Sequence, residues 1–72
     1  MKEKPLISVI VYLYNNEDEI IYFLKSIDSI LHEHFENYEI ILVNDFSTDK
    51  TLEKTRETIK NVKGDVSIIN LT

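Results

Sequence analysis

Ile7-Ser8-Val9-Ile10-Val11-Tyr12-Leu13-Tyr14 is an almost unbroken run of β-branched, aliphatic and aromatic side chains, and its reading decides the fold. A strand with one wet face alternates apolar and polar residues. A run that is apolar at nearly every position suits a strand covered on both faces, as in a parallel sheet. Two further runs repeat the pattern, Tyr38-Glu39-Ile40-Ile41-Leu42-Val43 and Val66-Ser67-Ile68-Ile69-Asn70-Leu71. Between the first two, over residues 17–34, the period becomes helical. Ile20, Ile21, Leu24, Ile27, Ile30 or Leu31, and then Phe35 recur at three- and four-residue steps, with Glu19, Lys25, Asp28 and Glu33 mostly between them. Asn15 or Asn16 suits the N-cap, and Glu17, Asp18 and Glu19 suit the positive end of the helix dipole. The turn-forming cluster Asn44-Asp45-Phe46-Ser47-Thr48-Asp49 then introduces a second helix. Its stripe is Leu52, Thr55, Ile59 and Val62, and Lys63-Gly64 supplies a cationic last turn and a C′ glycine.

This β-α-β-α-β succession predicts an α/β fold, a three-stranded parallel sheet of order 3-2-1 in a half-Rossmann arrangement. Right-handed crossovers place both helices on one face. The other face then has no cover, and the first strand is left as an edge although Val9, Val11 and Leu13 make it as apolar as a central strand. A homodimer through that edge is the expected remedy. Seventy-two residues make one domain, residues 1–72, of marginal stability. With no cysteine there is no disulfide or thiolate metal site, and a net charge of −5 argues against nucleic acid as a partner. A single glycine excludes the glycine-rich phosphate loops, which need at least two. The charged start Met1-Lys2-Glu3-Lys4-Pro5 leads into too few apolar residues for a spanning helix, so no membrane segment and a cytoplasmic location are expected. His32 and His34, two apart on a helix, point away from each other and cannot share a metal ion.

In open α/β sheets ligands bind beyond the carboxyl ends of the strands. That directs attention to Tyr14 through Glu17 and to the cluster from Asn44 to Asp49. Neighbouring parallel strands lie about 4.8 Å apart, so a planar group resting beside Tyr14 is within reach of the Asp45 carboxylate. The pair suits a nucleobase, with the ring face for stacking and the carboxylate accepting from a ring N–H. The same residues also fit a purely structural role, Asp45 capping the second helix or bracing a turn and Tyr14 lying in the core.

Taken together, Ile7 to Glu17, ending Tyr12-Leu13-Tyr14-Asn15-Asn16-Glu17, and Tyr38 to Thr51, containing Val43-Asn44-Asp45-Phe46-Ser47-Thr48-Asp49-Lys50-Thr51, resemble the N-terminal nucleotide-binding segment of family 2 glycosyltransferases of the GT-A fold. The usual motifs there are Pro-x-Tyr-Asn-Glu-Glu and Val-Asp-Asp-Gly-Ser-Thr-Asp-x-Thr. The resemblance covers nearly the whole chain. It implies a nucleotide-binding set of Tyr12, Leu13, Tyr14, Glu17, Asn44 and Asp45. In that set Tyr14 lies beside the base, Asp45 holds the base edge, and the backbone of Tyr12 and Leu13 approaches the nucleoside. Tyr12, Asn16, Asn44 and Phe46 depart from the family pattern. If position 46 requires positive φ, an aromatic there is strained.

The resemblance further implies transfer of a sugar from a nucleotide-diphosphate donor, UDP-linked, to an acceptor hydroxyl, in cell-surface polysaccharide synthesis. It implies a divalent metal, Mg or Mn, in the complete enzyme, and peripheral association with the cytoplasmic membrane face. The metal-holding Asp-x-Asp and the catalytic base of that family have no counterpart in these 72 residues. The chain by itself is therefore expected to be the nucleotide-recognition half, without catalytic residues of its own and inactive. A stand-alone β-α-β interaction module that has kept the fold without the ligand is the alternative reading.

Overall fold

The computed structural model describes residues 2–71. Strand β1 (Glu3–Leu13), helix α1 (Ile20–His34), strand β2 (Phe35–Asp45), helix α2 (Thr51–Ile59) and strand β3 (Asp65–Leu71) follow one another in the expected order. The sheet is parallel with β2 in the middle, the 3-2-1 arrangement. Its ladders pair Leu13 with Asn44, and Asn44 with Asn70, at the carboxyl end. Near the other end the β1 register slips between Glu3 and Leu6, at Pro5, which has no N–H to give to the ladder. The Asn37 carboxamide donates instead to the Lys4 carbonyl at 3.2 Å.

Both helices lie on one face, and the core forms there. Leu13, Ile20, Leu24, Leu31, Tyr38, Ile40 and Leu42 are its buried members, with Ile59, Val62 and Val66 packed against them. Of the two candidates on α1, Leu31 is buried and Ile30 is 57% exposed. On the opposite face Leu6, Ile10, Tyr12 and Ile69 stand exposed in rows, while Val43, flanked by Tyr12 and Ile69, is buried.

Four local expectations are corrected. Helix α1 begins at Ile20, with Glu19 as N-cap and no side-chain capping bond, so neither Asn15 nor Asn16 caps it. The acidic trio forms the turn that precedes the helix, where the Asn16 carbonyl accepts the N–H groups of Glu19 and Ile20 at 3.0 and 2.9 Å. The second helix ends at Ile59, earlier than its stripe suggested, and its buried face is Thr51, Thr55 and Thr58 rather than one led by Leu52. Threonines can occupy that face because their hydroxyls find partners locally: Thr55 donates to the Thr51 carbonyl at 2.7 Å and Thr58 to the Lys54 carbonyl at 2.8 Å. Gly64 does not adopt positive φ and is no C′ cap. It is needed for space, since a Cβ there would lie 2.6 Å from Tyr38 Cζ and overlap the ring.

The fourth correction concerns Asp28, which sits among the solvated positions of α1 by periodicity yet is 4% exposed. Its carboxylate accepts the Tyr38 hydroxyl at 2.7 Å, the Lys63 N–H at 2.9 Å and the Gly64 N–H at 3.0 Å. One side chain thus ties α1 to the start of β2 and to the turn entering β3. Burial alone would raise its pKa, but the Lys63 N–H, the Tyr38 hydroxyl, the Gly64 N–H and the nearby His32 together hold it below the ordinary 3.8. Burial and that same carboxylate push the Tyr38 phenol up.

Candidate functional site

At the carboxyl end of the sheet β1 and β2 run side by side as far as the Leu13–Asn44 pair. The next residue on each chain is Tyr14 and Asp45, both exposed. Each is followed by a residue in the left-handed region, Asn15 at φ 50° and Phe46 at φ 56°. Both chains therefore turn sharply two residues past the Leu13–Asn44 pair. Tyr14 is 61% exposed, so it is not a core residue. Asp45 does not cap the second helix, whose N-cap is Lys50; Asp49, one residue before it, accepts the Thr51 N–H at 2.9 Å and also the Thr51 hydroxyl.

The two loops are joined by an unbroken series of bonds. The Asn15 N–H donates to Ser47 Oγ at 3.0 Å, the Thr48 N–H to Asn15 Oδ1 at 2.8 Å, and the Asn16 N–H to Thr51 Oγ1 at 2.7 Å. The Glu17 N–H donates to Asp49 at 3.3 Å, and Lys54 reaches both the Glu17 carbonyl, at 3.2 Å, and its carboxylate, at 3.7 Å. The Asn16 carboxamide turns back to accept the Tyr14 N–H at 2.7 Å. What desolvation Asp49 suffers raises its pKa, but the Thr51 hydroxyl, the Thr51 and Glu17 N–H groups and its own N–H lower it further, below the ordinary 3.8.

The six residues singled out in the sequence therefore separate into three groups. Tyr12, Tyr14 and Asp45 present exposed side chains, Tyr12 on the open face of the sheet. Leu13 is buried at 3% exposure and can offer a ligand only its backbone, and Glu17 is engaged in holding the loops together. Asn44 is also 3% exposed, on the helix side of β2, where its Nδ2 donates to Asn70 Oδ1 at 2.8 Å. Its own Oδ1 is buried and has no partner among the described residues. Adjacent positions of a strand face opposite ways, so Asn44 and Asp45 do not act on the same side. Sequence reasoning passed over Asn15 as more than a cap candidate, and Ser47, Thr48 and Asp49 as more than turn formers. The signal available was a pair of loops both rich in residues that bond to backbone.

Two concavities adjoin the pair. A groove of about 820 Å³ on the helix side is lined by residues that include Asn44, Ser47, Asp49, Arg56 and Asn70; Tyr14 and Asp45 do not line it. A notch of about 170 Å³ lies on the β1 flank between Tyr12, Leu13, Asn16 and Phe23. Among the described residues no three His, Cys, Asp or Glu side chains gather to hold a metal ion, and Asp49 has both oxygens engaged. The residues present do not fit the divalent ion that the resemblance implies. Nor is any helix among them long and apolar enough to cross a membrane.

Comparison with known proteins bears on this geometry. The family description Glycosyl transferase family 2 matches residues 8–72. An uncharacterized glycosyltransferase of Haemophilus influenzae is 48% identical over 60 residues, covering 83% of this chain and 18% of that protein. An uncharacterized glycosyltransferase of Rickettsia typhi is 44% identical over 61 residues, covering 85% of this chain and 17% of the relative. The glycosyltransferase GlyA of Streptococcus pneumoniae is 45% identical over 51 residues, covering 71% of this chain and 7% of its own length. The chain thus spans less than a fifth of the length of these relatives.

Proposed function

Because this chain belongs to glycosyl transferase family 2, we propose that its two carboxyl-end loops form the nucleoside-recognition part of an enzyme that moves a sugar from a UDP-linked donor to an acceptor hydroxyl. The observation that carries the reading is the Tyr14–Asp45 pair, one step beyond the last ladder pair of adjacent strands and exposed on both members. An aromatic face stacks a base, and a carboxylate at the neighbouring strand end accepts from a ring N–H such as N3–H of uracil. The exposed end of β1 at Tyr12, with the Leu13 backbone, forms the floor. Asn44 acts through β3, by its bond to Asn70, and Glu17 by holding its loop.

The divalent ion, Mg or Mn, and the group that deprotonates the acceptor belong to parts of such an enzyme other than these residues, and the 72-residue chain transfers no sugar by itself. Work on cell-surface polysaccharide at the cytoplasmic membrane face goes with this reading. So does pairing of the isolated chain with a second copy through the free edge of β1.

The test is an amide NMR titration of the chain with UDP, GDP and ADP, repeated on Asp45→Ala. Shifts confined to residues 12–17 and 44–47, strongest for UDP and lost in the variant, are expected. Equal shifts for all three nucleotides, or shifts that survive in the variant, count against base recognition by Asp45.

A further inference from the structure

The bonds that join the two loops use neither the Tyr14 nor the Asp45 side chain, and Asn15 is at their centre. Its backbone is left-handed at φ 50°, a conformation that asparagine tolerates better than most residues with a Cβ. Its N–H donates to Ser47 Oγ at 3.0 Å, and its Oδ1 accepts the Thr48 N–H at 2.8 Å and the Thr48 hydroxyl at 3.4 Å. One exposed residue thus grips two consecutive residues of the opposite loop. The geometry around it is matched on the other strand, where Phe46 makes the equivalent left-handed turn just before Ser47. Beyond the Leu13–Asn44 pair no ladder bond joins β1 to β2, while Asp45 keeps its pairing with Leu71 of β3. The clasp supplies hydrogen bonds between the two loops just past Tyr14 and Asp45.

We propose that Asn15 is a positioning residue for nucleotide recognition. Its clasp on Ser47 and Thr48 fixes Tyr14 against Asp45 before the nucleotide arrives. Binding then does not have to order two free loops, a cost that would otherwise be subtracted from affinity. This rests on the nucleotide reading given above. Two properties of asparagine are used together: tolerance of the left-handed turn, and a side-chain acceptor at the right reach. Glycine has the first alone, and aspartate has both.

That difference supplies the experiment, on the 72-residue chain. Asn15→Gly keeps the turn and removes the acceptor, and Asn15→Asp restores it. Without nucleotide, ¹⁵N relaxation in Asn15→Gly is expected to show order parameters at Tyr14, Asp45 and Thr48 falling from about 0.85 to below about 0.6. They return in Asn15→Asp, and Leu24 and Ile40 stay ordered in every variant. UDP binding to the folded Asn15→Gly chain is expected to weaken about tenfold, and to stay within about twofold in Asn15→Asp. Ser47→Ala, which removes the partner from the other loop, moves both readouts in the same direction and serves if the glycine variant does not fold. Unchanged order at Tyr14 and Asp45 in Asn15→Gly and Ser47→Ala, or wild-type affinity in the glycine variant, overturns the proposal. A wild-type chain that binds none of UDP, GDP and ADP counts against the nucleotide reading, and the relaxation data then judge the clasp alone.

Discussion

Phe46 places a bulky side chain in a backbone region that costs an L-residue roughly 1–2 kcal/mol. At 55% exposure its ring recovers only part of that by burial. Phe46→Asn should therefore raise stability by about 0.5–1 kcal/mol, seen as a higher urea midpoint with an unchanged slope. A lower midpoint would show that the ring contributes more than its exposure suggests. This strain was legible in advance as a condition, because glycine stands at the matching position of the family motif, and the φ of 56° meets that condition. The fate of Asn44 was half legible. Strand alternation alone separates its side chain from that of Asp45, but its bond to Asn70 depends on a register that only the folded sheet defines.

Among the elements, the connection through Asp28 decides how α1, β2 and the turn into β3 stay together. Its pKa is lower in the folded chain than the ordinary 3.8. The stability it contributes is thus fully present above that ordinary value and is lost as the pH falls through the folded value. Asp49, lowered for its own reasons at the loop clasp, acts in the same direction. Urea midpoints should be level near neutrality and drop below about pH 4. Asp28→Asn should cost about 2–4 kcal/mol at neutral pH, because an amide cannot satisfy all three buried donors, and it should flatten the acid decline. An acid decline as steep in that variant as in the parent would remove Asp28 from the explanation. The three strands and two helices were readable because apolar runs and helical spacing are local properties. Asp28 was not, since its burial is set by donors at Tyr38, Lys63 and Gly64, far from it along the chain. The late start of α1 escaped notice for a related reason: the acidic trio fits a first helical turn as well as it fits the turn before one.

Over the whole molecule, two layers fill a slab of 41 × 20 × 15 Å in which one broad face of the sheet carries no helix. Leu6 at 62%, Ile10 at 58% and Tyr12 at 72% exposure line that face along an edge strand eleven residues long. Such an edge templates pairing with another chain. Light scattering on the 72-residue chain should show a mass that rises with concentration, and Ile10→Lys should suppress the rise. A constant monomer mass at millimolar concentration would sink the expectation. A different consequence follows from the junction of α1 and β2. Phe35 gives its N–H to the Leu31 carbonyl as the last helical donor while its own backbone, at φ −127° and ψ 140°, is already extended. Helix and strand are therefore locked in phase, with no slack between them. One added residue at this point would turn every β2 side chain over, carrying Asp45 into the interior and Asn44 out of it. Natural length variation among relatives should accordingly gather in the stretches 14–19, 46–50 and 60–64 and spare the bond between His34 and Phe35, which keeps the count that sets Asp45 outward and Asn44 inward.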